Sequence, residues 1–128
     1  MRAILAGAVV LALAPAAVAA LPVKGATYKG QTTATTLTMA RDGRTISALR
    51  LAPARQPAAC KLKNPVLKGL KITAAGKLTY KATVPNAAGK KIGLILKVEF
   101  YTDYLAEVTA TYSGAGCRFA FSDTLTKR

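Results

Sequence analysis

Four stretches in the second half of the chain decide the reading: Leu78-Thr79-Tyr80-Lys81-Ala82-Thr83-Val84, Leu94-Ile95-Leu96-Lys97-Val98-Glu99-Phe100, Ala106-Glu107-Val108-Thr109-Ala110-Thr111-Tyr112, and Cys117-Arg118-Phe119-Ala120-Phe121-Ser122. In each, apolar residues alternate with Thr, Lys, Glu or another residue suited to water. A period of two is the signature of a strand with one face in a core and one in solvent. The gaps carry turn residues: Pro85 to Lys91 around Asn86 and Gly89, Phe100 to Leu105, and Ser113-Gly114-Ala115-Gly116. No stretch repeats apolar residues at helical spacing between caps, so a long helix is not expected.

Working back towards the N-terminus, the pattern persists with more interruption. Lys71-Ile72-Thr73 leads into the turn Ala74-Ala75-Gly76, and Asn64-Pro65 and Gly69 mark an irregular or edge segment. Ala52 to Ala59, with Pro53 and Pro57, reads as a loop before Cys60. Thr36-Leu37-Thr38-Met39 and Thr45 to Leu51 flank Arg41-Asp42-Gly43-Arg44, a hairpin turn with Asp-Gly at its centre. The inward set of the return strand slips from Ile46 to Leu49 and Leu51, which predicts a bulge near Ala48. These elements predict an all-β, antiparallel β-sandwich, immunoglobulin-like or related, of about seven to nine strands, with a small β-barrel as second choice.

The start of the chain is different in kind. Met1-Arg2 is a short positive beginning, Ala3 to Leu13 is unbroken and apolar, and Pro15 precedes the small residues Ala16-Ala17-Val18-Ala19-Ala20. This is the layout of a secretory signal peptide, cleaved at Ala19 or Ala20. A run of ~11 apolar residues is too short to span a bilayer, which needs ~20. The expected organisation is a leader over residues 1–20 and one β domain over residues 21–128, exported to the cell envelope or beyond it. In such a compartment the pair Cys60 and Cys117 reads as a structural disulfide joining mid-domain to the last strand.

The chemistry available is narrow. The chain has 19 Lys plus Arg, 5 Asp plus Glu and no His, for a net charge of +14. Without His, the Ser-His-Asp and Cys-His constellations and most zinc sites are excluded. No Ser lies in G-x-S-x-G, and Gly114-Ala115-Gly116 is followed by strand rather than the helix a phosphate loop needs. Of the acids, Asp42 belongs to a turn, Glu99 and Glu107 fall on outward faces, and Asp123 shares the parity of Phe119 and Phe121 near a strand end. Glu99, Asp103 and Glu107 match no EF-hand spacing. No catalytic residue, metal or cofactor is expected, and the protein is read as a non-enzymatic one.

Charge is the positive signal. No acid occurs between Asp42 and Glu99, a stretch carrying Arg44, Arg50, Arg55 and the lysines from Lys61 to Lys97. The expected function is a secreted or envelope-associated binding module with affinity for anionic polymers, through Lys61, Lys63, Lys68, Lys71, Lys77 and Lys81. A specific nucleic-acid ligand is not expected. Tyr80, Phe100, Phe119 and Phe121 are predicted inward, which leaves only Tyr28, Tyr101 and Tyr104 for the exposed stacking platform that single-strand binders use. The alternative is a structural or protein-partner domain, such as an envelope component or a protease inhibitor presenting Arg55 between Pro53 and Pro57.

Gly25 to Gly30 (G-A-T-Y-K-G), the Thr-rich strand after it, Asp42-Gly43, Cys60, Gly76-Lys77-Leu78, and Gly116-Cys117 shortly before Lys127-Arg128 together resemble small exported proteins of unknown function from high-GC bacteria, actinobacteria especially. The resemblance covers nearly all of residues 21–128. It implies a β-sandwich closed by a disulfide, and no activity. The final strand departs from it: Phe119 and Phe121 stand where such proteins often carry Trp.

Overall fold

The four alternating stretches form the four long strands of the molecule. The computed structural model describes residues 22–63 and 65–128; the expectations for the leader, its cleavage at Ala19 or Ala20, and Asn64 lie outside the described residues. In chain order the strands are β1 (Thr27–Gly30), β2 (Thr36–Met39), β3 (Thr45–Arg50), β4 (Val66–Leu67), β5 (Leu70–Lys71), β6 (Lys77–Pro85), β7 (Lys91–Phe100), β8 (Leu105–Gly114) and β9 (Cys117–Lys127). All pairings are antiparallel. Among the described residues no helix is long and apolar enough to cross a membrane.

Among the described residues the strands form one nine-stranded sheet in the order β4-β3-β2-β1-β9-β8-β7-β6, with β5 also on β3. The sheet curls on itself. The rings of Tyr28 on β1 and Phe100 on β7 meet edge to face at 5.3 Å, although those strands are three places apart in the order. At ~4.8 Å per strand a flat sheet would hold them about 14 Å apart. The two expected layers are therefore opposing walls of one half-barrel, an architecture between the sandwich and the barrel. The core fills the curl with Leu37, Ile46, Leu49, Leu94, Leu96, Val108 and Leu125, all essentially buried.

Local chemistry explains the turns. The β2–β3 register passes from Thr38 opposite Ala48 to Met39 opposite Ile46, leaving Ser47 as the extra residue of the expected bulge. The Asp42 carboxylate accepts from the Arg44 and Thr45 amides at 2.8 and 2.9 Å and from the Thr45 hydroxyl at 2.7 Å, closing the hairpin. Between β8 and β9, Ala115 and Gly116 both take positive φ (54° and 81°), as a two-residue turn that matches strand twist requires.

Two expectations are corrected. Tyr28 is fully buried rather than exposed: its ring packs on Phe100, and its hydroxyl accepts from the Val23 amide at 2.9 Å and donates to the Asp103 carbonyl. The short β1 has too few residues to show an alternation that would reveal this. Tyr80, Phe119 and Phe121 face inward as expected but are only half-buried, because β6 and the first half of β9 lie at the rim of the curl.

β9 runs to Lys127, beyond the apolar alternation that ends at Ser122, because Asp123 is satisfied inside the protein. Asp123 is buried, at 6% exposed. It accepts from the amides of Thr32 (3.1 Å) and Thr33 (2.9 Å) and from their hydroxyls (2.9 and 2.6 Å). Thr33 Oγ1 lies 2.8 Å from Thr35 Oγ1, which in turn accepts from the Ala52 amide at 3.2 Å. One carboxylate thus fixes the β1–β2 turn and the exit of β3 onto β9. Gly30 is required beside it, because a Cβ there would fall on Asp123 Oδ2. At the other end of β9, Cys117 is bonded to Cys60, 57 residues away in sequence. The loop from Ala52 to Cys60 is held at both ends, by Thr35 and by this disulfide.

Burial raises the Asp123 pKa, but the hydrogen bonds from Thr33 and Thr32 outweigh it and hold the carboxyl below the usual carboxylate value. A depressed folded pKa gives stability that is fully present above the unfolded value of ~3.9 and is lost as pH falls through the folded value. Urea denaturation at a series of pH values should therefore show stability falling below about pH 4. Asp123→Asn should cost about 2–3 kcal/mol at neutral pH and show a shallower acid loss. Independently, Cys60→Ser/Cys117→Ser should lower the unfolding free energy by about 4 kcal/mol, from the chain entropy released in the unfolded state.

Candidate anion-binding surface

Alternation places Lys77, Thr79, Lys81 and Thr83 of β6 on the convex, outward face, all exposed. Register carries the pattern across the sheet. Lys77 stands opposite Glu99, Thr79 opposite Lys97, Lys81 opposite Ile95, and Pro85 opposite Lys91. On β8, Glu107, Thr109 and Thr111 continue the same three rows. Thr and Lys suit this face because it is pleated, half-solvated and free of packing demands.

One corner of the face is acidic. Glu99 and Glu107 are directly opposed, a like-charge pair that is unfavourable on adjacent strands. Each has a neutralising or donating neighbour: Lys77 Nζ lies 3.9 Å from Glu99 Oε2, and the Tyr101 hydroxyl donates to Glu107 Oε1 at 2.8 Å. That hydrogen bond, with partial burial and the two nearby carboxylates, raises the Tyr101 pKa. Tyr101 and Tyr104 are 54% and 51% exposed, as expected. Lys77, Thr79, Lys97, Glu99, Glu107 and Thr109 surround a shallow depression of about 180 Å³. Among the described residues no three His, Cys, Asp or Glu are placed to hold a metal ion.

The six lysines singled out from the sequence do not form one compact cluster. Lys77 and Lys81 share the outward face of β6, about 13 Å apart at the rise of a strand. Lys71 lies on β5, beyond the Thr73–Gly76 turn from Lys77, and acts on the Asp42 carboxylate. Lys61 sits at the far end of β6: its carbonyl accepts from the Ala87 amide at 2.8 Å, and the Cys60 carbonyl accepts from the buried Asn86 side chain at 3.2 Å. Lys63 follows in the same loop, and Lys68 occupies the connection between β4 and β5; both are exposed. Lys71, Lys77, Lys81 and Lys61 therefore follow the margin of β6 from end to end.

Sequence reasoning missed three cations that belong to this margin. Lys90 and Lys91 close the β6–β7 turn next to Lys61, and Lys97 faces Thr79. The hairpin pairing around Asn86 and Gly89 was signal enough to place them. Arg55 is exposed in the Ala52–Cys60 loop, where the neighbouring Gln56 bonds the Leu62 backbone and pins the loop.

The other potential chemistry is internal. Tyr112 stacks on Phe119, and Phe119 on Phe121, each pair at 6.1 Å. Among the described residues the buried Tyr112 hydroxyl has no hydrogen-bond partner, and burial pushes its pKa up to about 12, so the phenol is neutral at physiological pH. No known protein family matches this chain, and no curated protein or solved structure does.

Proposed function

We propose that this is a secreted or envelope-associated, non-enzymatic binding module that attaches to anionic polymers through the lysines around β6. The supporting observation is what the acids do. Asp42 serves its own hairpin, Asp123 the threonine turn, and Glu107 accepts from Tyr101. Lys77–Glu99 is the one ion pair among the described residues. Among the described residues the other Lys and Arg side chains are exposed and form no ion pair with an acid, and such a field concentrates polyanions at the surface. The buried disulfide is compatible with an extracellular location. Export also fits the resemblance to small exported proteins of high-GC bacteria.

A phosphodiester-linked wall polymer or another extended polyanion fits the length of the margin better than a small anion does. The lysines are spread along a strand about 26 Å long instead of converging on a point. The oxidised protein should elute from immobilised poly(glycerol phosphate) at clearly higher salt than from a generic cation exchanger run beside it. Replacing Lys61, Lys63, Lys68, Lys71, Lys77 and Lys81 together by Gln should weaken polymer binding about tenfold or more at physiological salt and flatten its salt dependence. Coincident elution of the unmodified protein from both matrices would overturn the reading.

A further inference from the structure

The backbone of β6 carries an unused hydrogen-bonding edge. Phase is fixed by two bonds at the ends of the β6–β7 pair: the Phe100 amide donates to the Gly76 carbonyl at 2.9 Å, and the Asn86 amide to the Lys90 carbonyl at 2.8 Å. With the observed register, Leu78, Tyr80, Ala82 and Val84 direct their amides and carbonyls to β7. Thr79, Lys81 and Thr83 direct theirs the other way. The Lys77 carbonyl points the same way and accepts from Thr73 at 2.8 Å, which agrees with this phase. Among the described residues nothing bonds the backbone of Thr79, Lys81 or Thr83. The strand is nine residues long and pairs without a bulge, with its one proline at the very end.

An edge of that length is a template for another strand. Its side chains select the occupant. In an antiparallel pairing of two copies centred on Lys81, Lys81 would face itself. Centred on Thr79, Lys77 would face Lys81 of the other copy. Either register opposes like charges, so the lysines work against self-association. The same lysines favour a strand that is acidic on its outward side. On the inward side, Leu78, Tyr80 and Val84 are only half-buried and gain cover from apolar residues on an added strand.

We propose that the free edge of β6 takes up an extended segment of a partner protein as an added antiparallel strand, one whose residues alternate between acidic and apolar. Its acidic residues stand opposite Lys77 and Lys81, its apolar residues cover Leu78, Tyr80 and Val84, and its backbone bonds Thr79, Lys81 and Thr83. This proposal stands apart from the polymer reading, because it is carried by backbone groups that a flexible polyanion does not engage.

A blocked nine-residue peptide alternating Val and Glu is the probe, with amide hydrogen exchange of the oxidised, isotope-labelled protein as readout. In an antiparallel pair the residues opposite Thr79, Lys81 and Thr83 share their outward side, so the Glu amides make the bonds. The peptide should slow exchange at Thr79, Lys81 and Thr83 by tenfold or more. N-methylation of its Glu residues should abolish the slowing, whereas N-methylation of its Val residues should leave it. Lys77→Glu/Lys81→Glu should lose the peptide and accept one alternating Val and Lys instead. Poly(glycerol phosphate) should leave the three amides unprotected whether or not it binds. Absence of protection by the peptide, or equal behaviour of the two methylated peptides, would overturn the proposal.

Discussion

The carboxylate of Asp123 is the point on which the two walls of the half-barrel depend. β9 is the strand that belongs to both, with β8 along its whole length on one side and β1 at its C-terminal end on the other. Where β1 stops, at Gly30, the chain must turn away without leaving β9 unsupported. Thr32 and Thr33 solve this by directing two amides and two hydroxyls onto one buried acid. Thr35 extends the same network to Ala52, so the exit of β3 is placed by it too. Hydrogen bonds to an ionised, desolvated acceptor are among the stronger ones, and removing the acceptor deprives the part-buried donors of Thr32 and Thr33 of their partner. The disulfide fixes the other end of β9 to the loop that leaves Ala52. These two anchorages hold β9 near both of its ends.

The same arrangement bears on function through charge. A protein with few acids can use them as counterions for its lysines or as internal acceptors. Here Asp42 and Asp123 act mainly as acceptors for backbone and hydroxyl donors, and Glu107 accepts from a phenol. The positive surface is what remains. Lysine on the margin of a sheet is also a device against edge-to-edge aggregation. That role and ligand binding are compatible, because the repulsion that keeps two copies apart is the attraction that draws an anion.

Much of the fold was legible in the sequence, and the reasons differ from strand to strand. The four long strands show in the alternation of Leu78 to Ser122 because each has one dry and one wet face. Asp42-Gly43 and the glycines flanking Ala115 announce their turns because glycine takes positive φ without strain, as Gly43 (69°), Gly114 (120°) and Gly116 (81°) do here. The bulge at Ser47 was visible as a slip in parity. Tyr28 was not legible, since a four-residue strand beside the chain's start carries too little pattern. The end of β9 was hidden for another reason: Asp123 looks like a strand terminator until its partners, some ninety residues earlier, are known. The candidate surface was half legible. Lysine content is a property of composition, but which lysines share a margin depends on the β6–β7 register and on the docking of Lys61 against Ala87.

An unused strand edge and a cationic margin coincide on β6, the first carried by the backbone of Thr79, Lys81 and Thr83 and the second by lysines of which, among the described residues, only Lys77 has an acidic ion-pair partner. The most direct measurement of that claim is the urea midpoint as sodium chloride is raised from low to moderate concentration. Unpaired like charges repel one another in the folded state, and salt screens that repulsion. The midpoint should therefore rise while the denaturant slope stays constant. A midpoint that falls with salt would mean that the lysines are held in stabilising ion pairs, and would contradict the account.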